Sequence, residues 1–515
     1  MKRCPKCRQS YSDETLNFCL EDGEWLVGDQ MPGRAATRDL NYEAPTQLFG
    51  VDTIGSHSNS IAVLPFANLS SDTENEYFCD GLAEELMNAL AKIENLKVAA
   101  RTSAFSFKGK NTNASEIGTA LSVRTILEGS VRKSDDRLRI SVQLVNSSDG
   151  YQMWAETYER ELRDIFDLQN EITLAVVDAL KVTLLGGEKD EVLKQGTESV
   201  QAYHLYLQGR FVWNHRTESA IRRGIEFFNQ AIVHDPNYAA AYAGLSDCYT
   251  LLVVREAITP DEGFPLGRAN AEMALKIDPT FAEARASLGH AYLHYWHWEE
   301  ADHALRKAIE QRPDYPSAHQ WHSEFLTAMG RHDESTSELR LAAELDPHSL
   351  VISADLGRAY YYARQYEEVF RQETRTLELD PNFWLSHINL GRSRIQTGEH
   401  EQALVEFQKA LEILPASTET LSFVGFAYAV SGASEPAVKI LDQLKGAAAD
   451  THVPPYHFAI IYTGLGDHNR AFLALEKAYE RHAVDLFTLA AEPMFDGLRG
   501  DARFADLVRR VGLPR

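Results

Sequence analysis

Prolines recur at a fixed interval in the second half of this chain. Pro279, Pro313, Pro347, Pro381 and Pro415 are separated by 34 residues each. Proline ends an α-helix, because it lacks a backbone N–H and its ring clashes with the preceding turn. Helix breaks at a constant spacing indicate one structural unit repeated along the chain, and a period of about 20 to 50 residues is typical of repeat proteins. The spacing therefore predicts an array of helical units in this part of the chain.

Each 34-residue unit also carries small and large apolar residues at fixed positions. In the unit that begins at Ala282, these residues are Leu288, Gly289, Tyr292, Ala301, Leu305 and Ala308. The units that begin at Leu350 and Trp384 repeat most of them. The pattern resembles the tetratricopeptide repeat, which implies two antiparallel helices per unit, stacked into an all-α superhelix with a concave groove. We count about seven units over residues 200–482, and we predict a C-terminal capping segment at residues 483–515.

Residues 60–184 follow a different pattern, in which short apolar strands alternate with helices. The predicted strands are Ile61–Phe66, Leu96–Ala100, Thr125–Arg132, Arg137–Asn146 and Gln152–Tyr158. The predicted helices are residues 76–93, a short helix 115–121 with Ser115 as its N-cap, and residues 164–184. This mixture predicts an α+β domain with a small mixed sheet.

Four segments of this domain resemble the TolB-like N-terminal domain: Ile61–Ser70, Glu76–Leu86, Arg101–Lys110 and Leu127–Arg132. In proteins of that family, the domain lies between a variable N-terminal module, such as a winged helix, a cyclase or a kinase, and a repeat array. None of those modules is recognisable in this sequence. The resemblance implies a signalling or regulatory protein and supplies no active site that could be carried over.

Three of the five cysteines occur near the N-terminus, at Cys4, Cys7 and Cys19. Cys4 and Cys7 have the spacing of a zinc knuckle, and Asp22 takes the place of a fourth cysteine in a second, similar half. We predict a small zinc ribbon over residues 1–28, with a structural zinc ion as its cofactor, because so short a segment cannot build a sufficient core alone. A degenerate ribbon without metal and a redox role for Cys4 and Cys7 are the alternatives.

Residues 29–59 hold scattered prolines, glycines and serines without an apolar period, which predicts a flexible linker. Glu43–Phe49 within the linker has the composition of a docking or phosphorylation segment, but a local apolar patch without a function explains it equally simply. The whole chain is thus expected to be multidomain, with a zinc ribbon, an α+β domain and an all-α superhelix.

The charge balance narrows the class of partner. The 515 residues include 51 basic and 75 acidic side chains, a formal charge of −24 that repels phosphate backbones and anionic lipid surfaces. Nucleic acid is therefore an unlikely partner. No segment reaches the roughly 18 to 20 apolar residues of a membrane helix, and the N-terminus has no signal peptide pattern, so we expect a cytoplasmic bacterial protein.

Catalytic signatures are absent from the sequence. There is no phosphate-binding loop, dinucleotide fingerprint, zinc-protease helix, nucleophile elbow or kinase catalytic loop. We therefore predict a protein that is not an enzyme and that works by binding other proteins or peptides.

The repeat frame places a set of side chains on one groove. They are His290, His294, Arg358, Tyr361, Tyr362 and Arg392. Arg358 and Arg392 occupy the same position of adjacent units, so we predict that they anchor an acidic or C-terminal peptide through its carboxylates. The alternative is that both arginines pair with acidic residues of the chain itself. His290, His294 and His297 also have the spacing of a metal site, although a peptide-facing role is the simpler interpretation.

Three functions remain open at this point. The first is a scaffold or signalling adaptor, either as a monomer or as a homo-oligomer. The second is a transcription-associated regulator that uses the zinc ribbon, whose first ten residues are basic. The third is an accessory subunit of a cyclase or kinase system.

Overall fold

The computed structural model describes residues 59–514, apart from 71–74, 135–136, 185–186, 256 and 450–452, together with three short strands near the N-terminus. The chain divides into two units, Met1–Ser56 and His57–Arg515. In the first unit, β1 (Lys2–Arg3) pairs antiparallel with both β2 (Ser10–Tyr11) and β3 (Val27–Gly28). The predicted zinc ligands Cys4, Cys7, Cys19 and Asp22 and residues 29–58 of the predicted linker lie outside the described residues, so both predictions stay open.

The second unit begins with an α+β domain around a six-stranded mixed sheet, as the sequence predicted. The strands are β4 (Ser60–Val63), β5 (Ala67–Asn68), β6 (Lys97–Val98), β7 (Thr125–Ser134), β8 (Arg137–Asn146) and β9 (Gln152–Glu161). Their order is β6-β4-β7-β8-β9, and β5 also pairs with β7. β4 runs parallel to β6 and β7, whereas β7, β8 and β9 form an antiparallel meander.

Helices cover both faces of this sheet. They are α1 (Glu76–Leu90), α2 (Arg101–Phe105), α3 (Ala114–Leu121), α4 (Ile165–Ala179) and α5 (Glu188–Val192). Side chains alternate across β4, so that Ile61 packs with α1 and α4 and Ala62 packs with α3. The N-cap of α3 is Asn113, not the predicted Ser115. The Asn113 side chain accepts a hydrogen bond from the backbone N–H of Glu116 at 3.0 Å.

Eight helical hairpins follow, one more than the approximate count from the sequence. They are α6 (Val200–Trp213) with α7 (Glu218–His234), α8 (Ala239–Val254) with α9 (Pro260–Ile277), α10 (Ala282–His294) with α11 (Trp298–Gln311), α12 (Pro316–Ala328) with α13 (His332–Leu345), α14 (Leu350–Tyr362) with α15 (Tyr366–Leu379), α16 (Trp384–Gln396) with α17 (His400–Ile413), α18 (Thr418–Val430) with α19 (Ser434–Ala447), and α20 (Pro455–Gly464) with α21 (His468–Glu480).

The insertion predicted around residues 250–264 lengthens two helices and adds no separate element. α8 has 16 residues and α9 has 18, compared with 13 or 14 in each helix from α10 to α17. Thr259 and Glu262 form a capping box at the start of α9, with Pro260 in the first turn. The array therefore continues through the insertion without a break.

Glycine permits the close contact of the two helices within a hairpin. A Cβ atom added to Gly391 of α16 would lie 2.4 Å from the ring of Phe407 of α17, far inside van der Waals contact. The glycine that the repeat pattern places at this position is therefore required by packing.

Polar contacts join the α+β domain to the array at several places, among them Glu84 and Asp346. Glu84 of α1 accepts hydrogen bonds from Arg101 Nε at 2.7 Å and from Arg210 Nη2 of α6 at 2.8 Å. Farther along the array, Asp346 after α13 accepts hydrogen bonds from the backbone N–H (3.0 Å) and the hydroxyl (2.6 Å) of Ser103. The domain thus contacts the first hairpin and also the end of the fourth, which places it across the inner side of the array.

Burial by itself raises the pKa of the Glu84 carboxyl, but the guanidinium groups of Arg101 and Arg210 outweigh this and lower the pKa to about 2. A carboxyl whose pKa is lowered on folding stabilises the fold above its unfolded pKa of about 4.5, and this contribution is lost as the pH falls toward 2. We predict that Glu84→Gln lowers the free energy of unfolding by about 3 kcal/mol at pH 7, because two partly buried guanidinium groups lose their buried carboxylate. The difference from wild type should shrink between pH 4.5 and 2.

Urea unfolding across this pH range measures the effect. Glu94→Gln, at an exposed position just after α1, is the matched control and should leave the free energy of unfolding nearly unchanged. Equal losses in the two variants would contradict the role of Glu84.

Candidate functional site

A cavity of about 2540 Å³ lies on the inner side of the array. Its wall is built from the first helices of successive hairpins and from α1 and α2 of the α+β domain. The first helices point the same repeat positions inward, because each unit has the same length. The side chains that the third, fourth and fifth hairpins contribute in this way are His290, His294, Gln320, Glu324, Asp355 and Arg358.

Arg358, which the sequence analysis proposed as a peptide anchor, is bound within the chain. Its Nη2 atom lies 3.0 Å from Glu324 Oε1 and 3.0 Å from Asp355 Oδ1. The two carboxylates carry more charge than one guanidinium can balance. Arg358 lines the cavity, but its charge is satisfied by these neighbours and is not free for a partner's carboxylate.

Arg392 is also occupied, by a residue 100 positions later in the chain. Its Nη2 atom donates to Glu492 Oε2 at 2.5 Å, and both side chains are buried, with 4% and 2% of their surface exposed. The guanidinium also lies 4.2 Å from the ring centroid of Tyr361. Both arginines are therefore paired within the chain, which is the alternative that the sequence left open, and the anchoring of an acidic peptide stays a prediction.

The C-terminal segment enters the array, where the sequence predicted only a terminal cap. Two 3-10 turns, Val484–Thr488 and Pro493–Leu498, are followed by α22 (Ala502–Val511). Glu492 Oε1 accepts hydrogen bonds from the Tyr361 hydroxyl at 2.6 Å and from the backbone N–H of Met494 at 3.1 Å. Tyr361 and Tyr362 are buried beneath this segment, with Ala491 in the same apolar cluster.

The end of the segment ties back to the third hairpin. Trp298 Nε1 at the start of α11 donates to the carbonyl oxygen of Val511 at 2.9 Å. The rings of Trp296 and Tyr479 stack at 5.6 Å between centroids, so the end of the eighth hairpin meets the turn of the third. The superhelix therefore closes on itself.

One feature of the sequence could have revealed that the C-terminal segment enters the array. Glu492 is the only charged residue between Phe487 and Phe495. A single charge within an apolar run predicts burial against an oppositely charged partner, since burying a charge without a partner is costly. The sequence gives no indication of which arginine that partner is.

The structure separates the three histidines that were considered as a metal cluster. His290 and His294 lie together, with 3.0 Å between their Nε2 atoms. α10 ends at His294, and Trp296 has a φ of 61°, so the chain turns before His297. His297 is half-buried and lies 3.8 Å from Glu300, whereas Glu324 of α12 comes within 3.8 Å of His290.

Four carboxylates of the cavity wall, Glu85, Asp247, Glu419 and Asp485, make no ion pair with any residue that the structure describes. Burial raises the pKa of each, to about 7 for Glu85 and Asp485, and nearby negative charge adds to the shift. Lys92, Arg216 and Arg255 of the wall also make no ion pair with a described residue, but 15 acidic residues and nine basic ones line the cavity, and this excess favours a cation.

Comparison with known proteins matches two parts of the chain. Residues 56–175 match the family model of the HilA/YgeH-like transcriptional regulator, second domain, and residues 386–416 match that of the tetratricopeptide repeat. The second match and the eight hairpins together show a tetratricopeptide repeat array. The α+β domain matches the HilA/YgeH-like model, so the resemblance to the TolB-like domain stays a prediction.

Relatives and solved structures cover parts of the chain. A protein named putative adenylate cyclase 3, from Rhizobium meliloti (strain 1021), is 35% identical over 250 residues, which are 48% of this chain and 42% of that protein. This chain therefore spans less than half the length of that relative. PilW, a type IV pilus biogenesis factor, has a TM-score of 0.34 at 19% identity and covers 40% of this chain and 95% of its own. A monomeric IFIT1 mutant with Gppp-AAAA has a TM-score of 0.44 at 15% identity, covering 67% and 76%.

Among the described residues, no helix combines the length and the apolar character that crossing a bilayer requires.

The buried pair of Arg392 and Glu492 gives a direct test of how firmly the C-terminal segment is held. We predict that Glu492→Gln lowers the free energy of unfolding by roughly 3 to 5 kcal/mol, because it leaves a buried guanidinium without a counter-charge. Hydrogen exchange of residues 484–498 should become faster in the same variant. Glu480→Gln, at an exposed position of α21, is the control. The role of the pair is refuted if both variants unfold alike and exchange in the segment is unchanged.

Proposed function

We propose that this chain is a non-catalytic interaction scaffold or signalling adaptor whose helical array takes a segment of a partner protein into its central cavity. The observation that carries the proposal is the cavity of about 2540 Å³ on the inner side of the array. Pockets for small molecules are typically about 300 to 1,000 Å³. A cavity of this size, lined by successive repeats, suits a stretch of polypeptide better than one metabolite.

The charges of the cavity favour a basic segment over the acidic one that the sequence suggested. Arg358 and Arg392 already have carboxylate partners in the chain. The carboxylates of Glu419 and Asp485 have no ion-pair partner among the described residues, and the charge of Glu419 contributes to the raised pKa of Asp485. A lysine or arginine side chain placed between them would offset the cost of burying both carboxylates.

Binding of short peptides tests the proposal. We predict that a peptide rich in arginine and lysine binds the full chain more tightly than one of equal length rich in glutamate and aspartate. The double variant Glu419→Gln with Asp485→Asn should weaken binding of the basic peptide by about tenfold or more, since each charged hydrogen bond is worth about 1.5 to 3 kcal/mol. Fluorescence anisotropy at two salt concentrations measures the affinity.

The matched control removes two carboxylates from the outside of the array. Glu378 of α15 and Glu401 of α17 are exposed, and Glu378→Gln with Glu401→Gln changes the net charge by the same amount. If the control weakens binding as much as the cavity variant, long-range charge explains the effect. If the acidic peptide binds more tightly, a basic occupant is excluded.

A second candidate function is an accessory role in a nucleotide cyclase or transcription system. It is favoured by the 35% identity to a protein named putative adenylate cyclase 3 and by the match of residues 56–175 to a domain of HilA/YgeH-like transcriptional regulators. The resemblance to the TolB-like domain supports the same kind of signalling role. Nucleic acid contact is disfavoured by the formal charge of −24.

Two assays on the purified full chain separate these roles. We predict that the chain with ATP and Mg²⁺ forms no cyclic AMP, because the sequence holds no recognisable catalytic module. We also predict that a gel shift with duplex DNA shows no binding at low or at physiological salt. Cyclic AMP formation would overturn the non-catalytic proposal, and salt-resistant DNA binding would favour the transcriptional role over the scaffold.

A further inference from the structure

We propose that His290, His294 and Glu324 form a binding site for a divalent transition-metal ion of the zinc class on the inner face of the array. The site does not require the partner-binding function proposed above. His290 and His294 lie one helical turn apart on α10, and Glu324 lies on α12, the first helix of the next hairpin. All three side chains line the central cavity.

The distances between the three ligand atoms fit one metal ion. His290 Nε2 and His294 Nε2 are 3.0 Å apart, and Glu324 Oε2 lies 3.8 Å from the first and 3.7 Å from the second. A point inside this triangle is about 2.0 Å from all three atoms, which is the usual length of zinc bonds to imidazole and carboxylate, about 2.0 to 2.2 Å. Tetrahedral coordination requires ligand separations of about 3.3 Å, and the observed separations bracket that value.

Aromatic rings hold both imidazoles in place. His290 stacks on Trp321, with 4.4 Å between ring centroids and 6° between the planes. His294 stacks on Phe264 at 5.9 Å and meets the ring of Phe487 edge-on at 5.2 Å. The two Nε2 atoms are hydrogen-bonded to each other in this structure, and because the aromatic contacts restrict both rings, little side-chain entropy is lost when an ion replaces that bond.

The electrostatics of the site also suit a dication. Both imidazoles are in the neutral form that binds metal at a pH of about 8, because the ordinary pKa of histidine is about 6.5. Arg358 is bonded to Glu324 Oε1 at 3.0 Å, which leaves Oε2 for the ion and fixes its direction. With Asp355 beside Arg358, the site has two carboxyl groups and one guanidinium.

The repeat period explains why these residues meet. Glu324 follows His290 by 34 residues, so it occupies the same repeat position in the next hairpin. His294 adds the second imidazole from the following turn of the same helix. An ion bound by these three ligands would link the third hairpin to the fourth and present an open coordination position to the cavity, for water or for a side chain of a partner.

A titration with Co²⁺ and Zn²⁺ tests the site. The full chain is used with Cys4→Ser, Cys7→Ser and Cys19→Ser, so that thiolates of the N-terminal segment do not contribute. We expect one Co²⁺ ion with visible absorption bands and no thiolate charge-transfer band, displaced by Zn²⁺. Glu324→Gln in this background should lose more than the roughly 10- to 100-fold of affinity that a change outside the ligand set costs.

His297→Gln is the matched control, because His297 belongs to the histidine cluster in the sequence but not to the site in the structure. This variant should bind Co²⁺ as tightly as its parent. The proposal is overturned if the parent binds no Co²⁺, if Glu324→Gln binds as well as the parent, or if His297→Gln loses binding. Circular dichroism shows whether each variant folds. If Glu324→Gln does not fold, His290→Asn takes its place. The site is then rejected if His290→Asn binds Co²⁺ as tightly as the parent.

Discussion

One arginine on the inner surface, Arg392, has no acidic partner at an equivalent repeat position, and its pairing determines how the array closes. The repeat period places His290, Glu324, Arg358 and Arg392 at the same position of four successive hairpins, and Phe426 follows them in the next. Glu324 forms an ion pair with Arg358, its neighbour in this row of equivalent repeat positions. Glu324 is the acidic residue of this row, and no second one is present to pair with Arg392. A buried guanidinium without a counter-charge is strongly unfavourable, and the carboxylate that meets it comes from outside the row, from Glu492.

This pairing divides the inner surface into two parts. Around Arg392, the C-terminal segment covers Tyr361 and Tyr362 and removes half of the predicted groove from contact with any partner. Toward the α+β domain, the wall formed by the third, fourth and fifth hairpins lines the cavity. The chain thus supplies one occupant of its own groove, and the partner surface that is left has an excess of carboxylates. The partner proposed for this surface would be selected by positive charge, and the formal charge of −24 attracts basic partners to the whole chain as well.

The sequence predicted those features of the structure that depend on local pattern and on the repeat period. The 34-residue spacing identified the hairpins, the glycine at Gly391 and the inward direction of His290, Arg358 and Arg392. It could not predict which charges meet across long separations. Glu84 with Arg210 and Glu492 with Arg392 join residues 126 and 100 positions apart, and these pairs depend on how far the superhelix turns before it closes. Small deviations in each hairpin accumulate along the array, and no single repeat specifies them. The wrong N-cap at Ser115 is a local error of two residues, of the size expected for helix ends.

Glu324 connects the two proposals through charge. One oxygen of its carboxylate is bonded to Arg358 and the other faces the two imidazoles, so a metal ion and the guanidinium share a single negative group. A bound dication would reduce the negative potential of the same cavity that a basic segment is proposed to enter, since charges inside a cavity are screened less than charges on a surface. A partner that places its own carboxylate or imidazole at the open coordination position would bind more tightly when the ion is present. A partner that offers only lysine and arginine would bind more weakly. Metal occupancy of this site would therefore select between two chemical classes of partner on one unchanged fold.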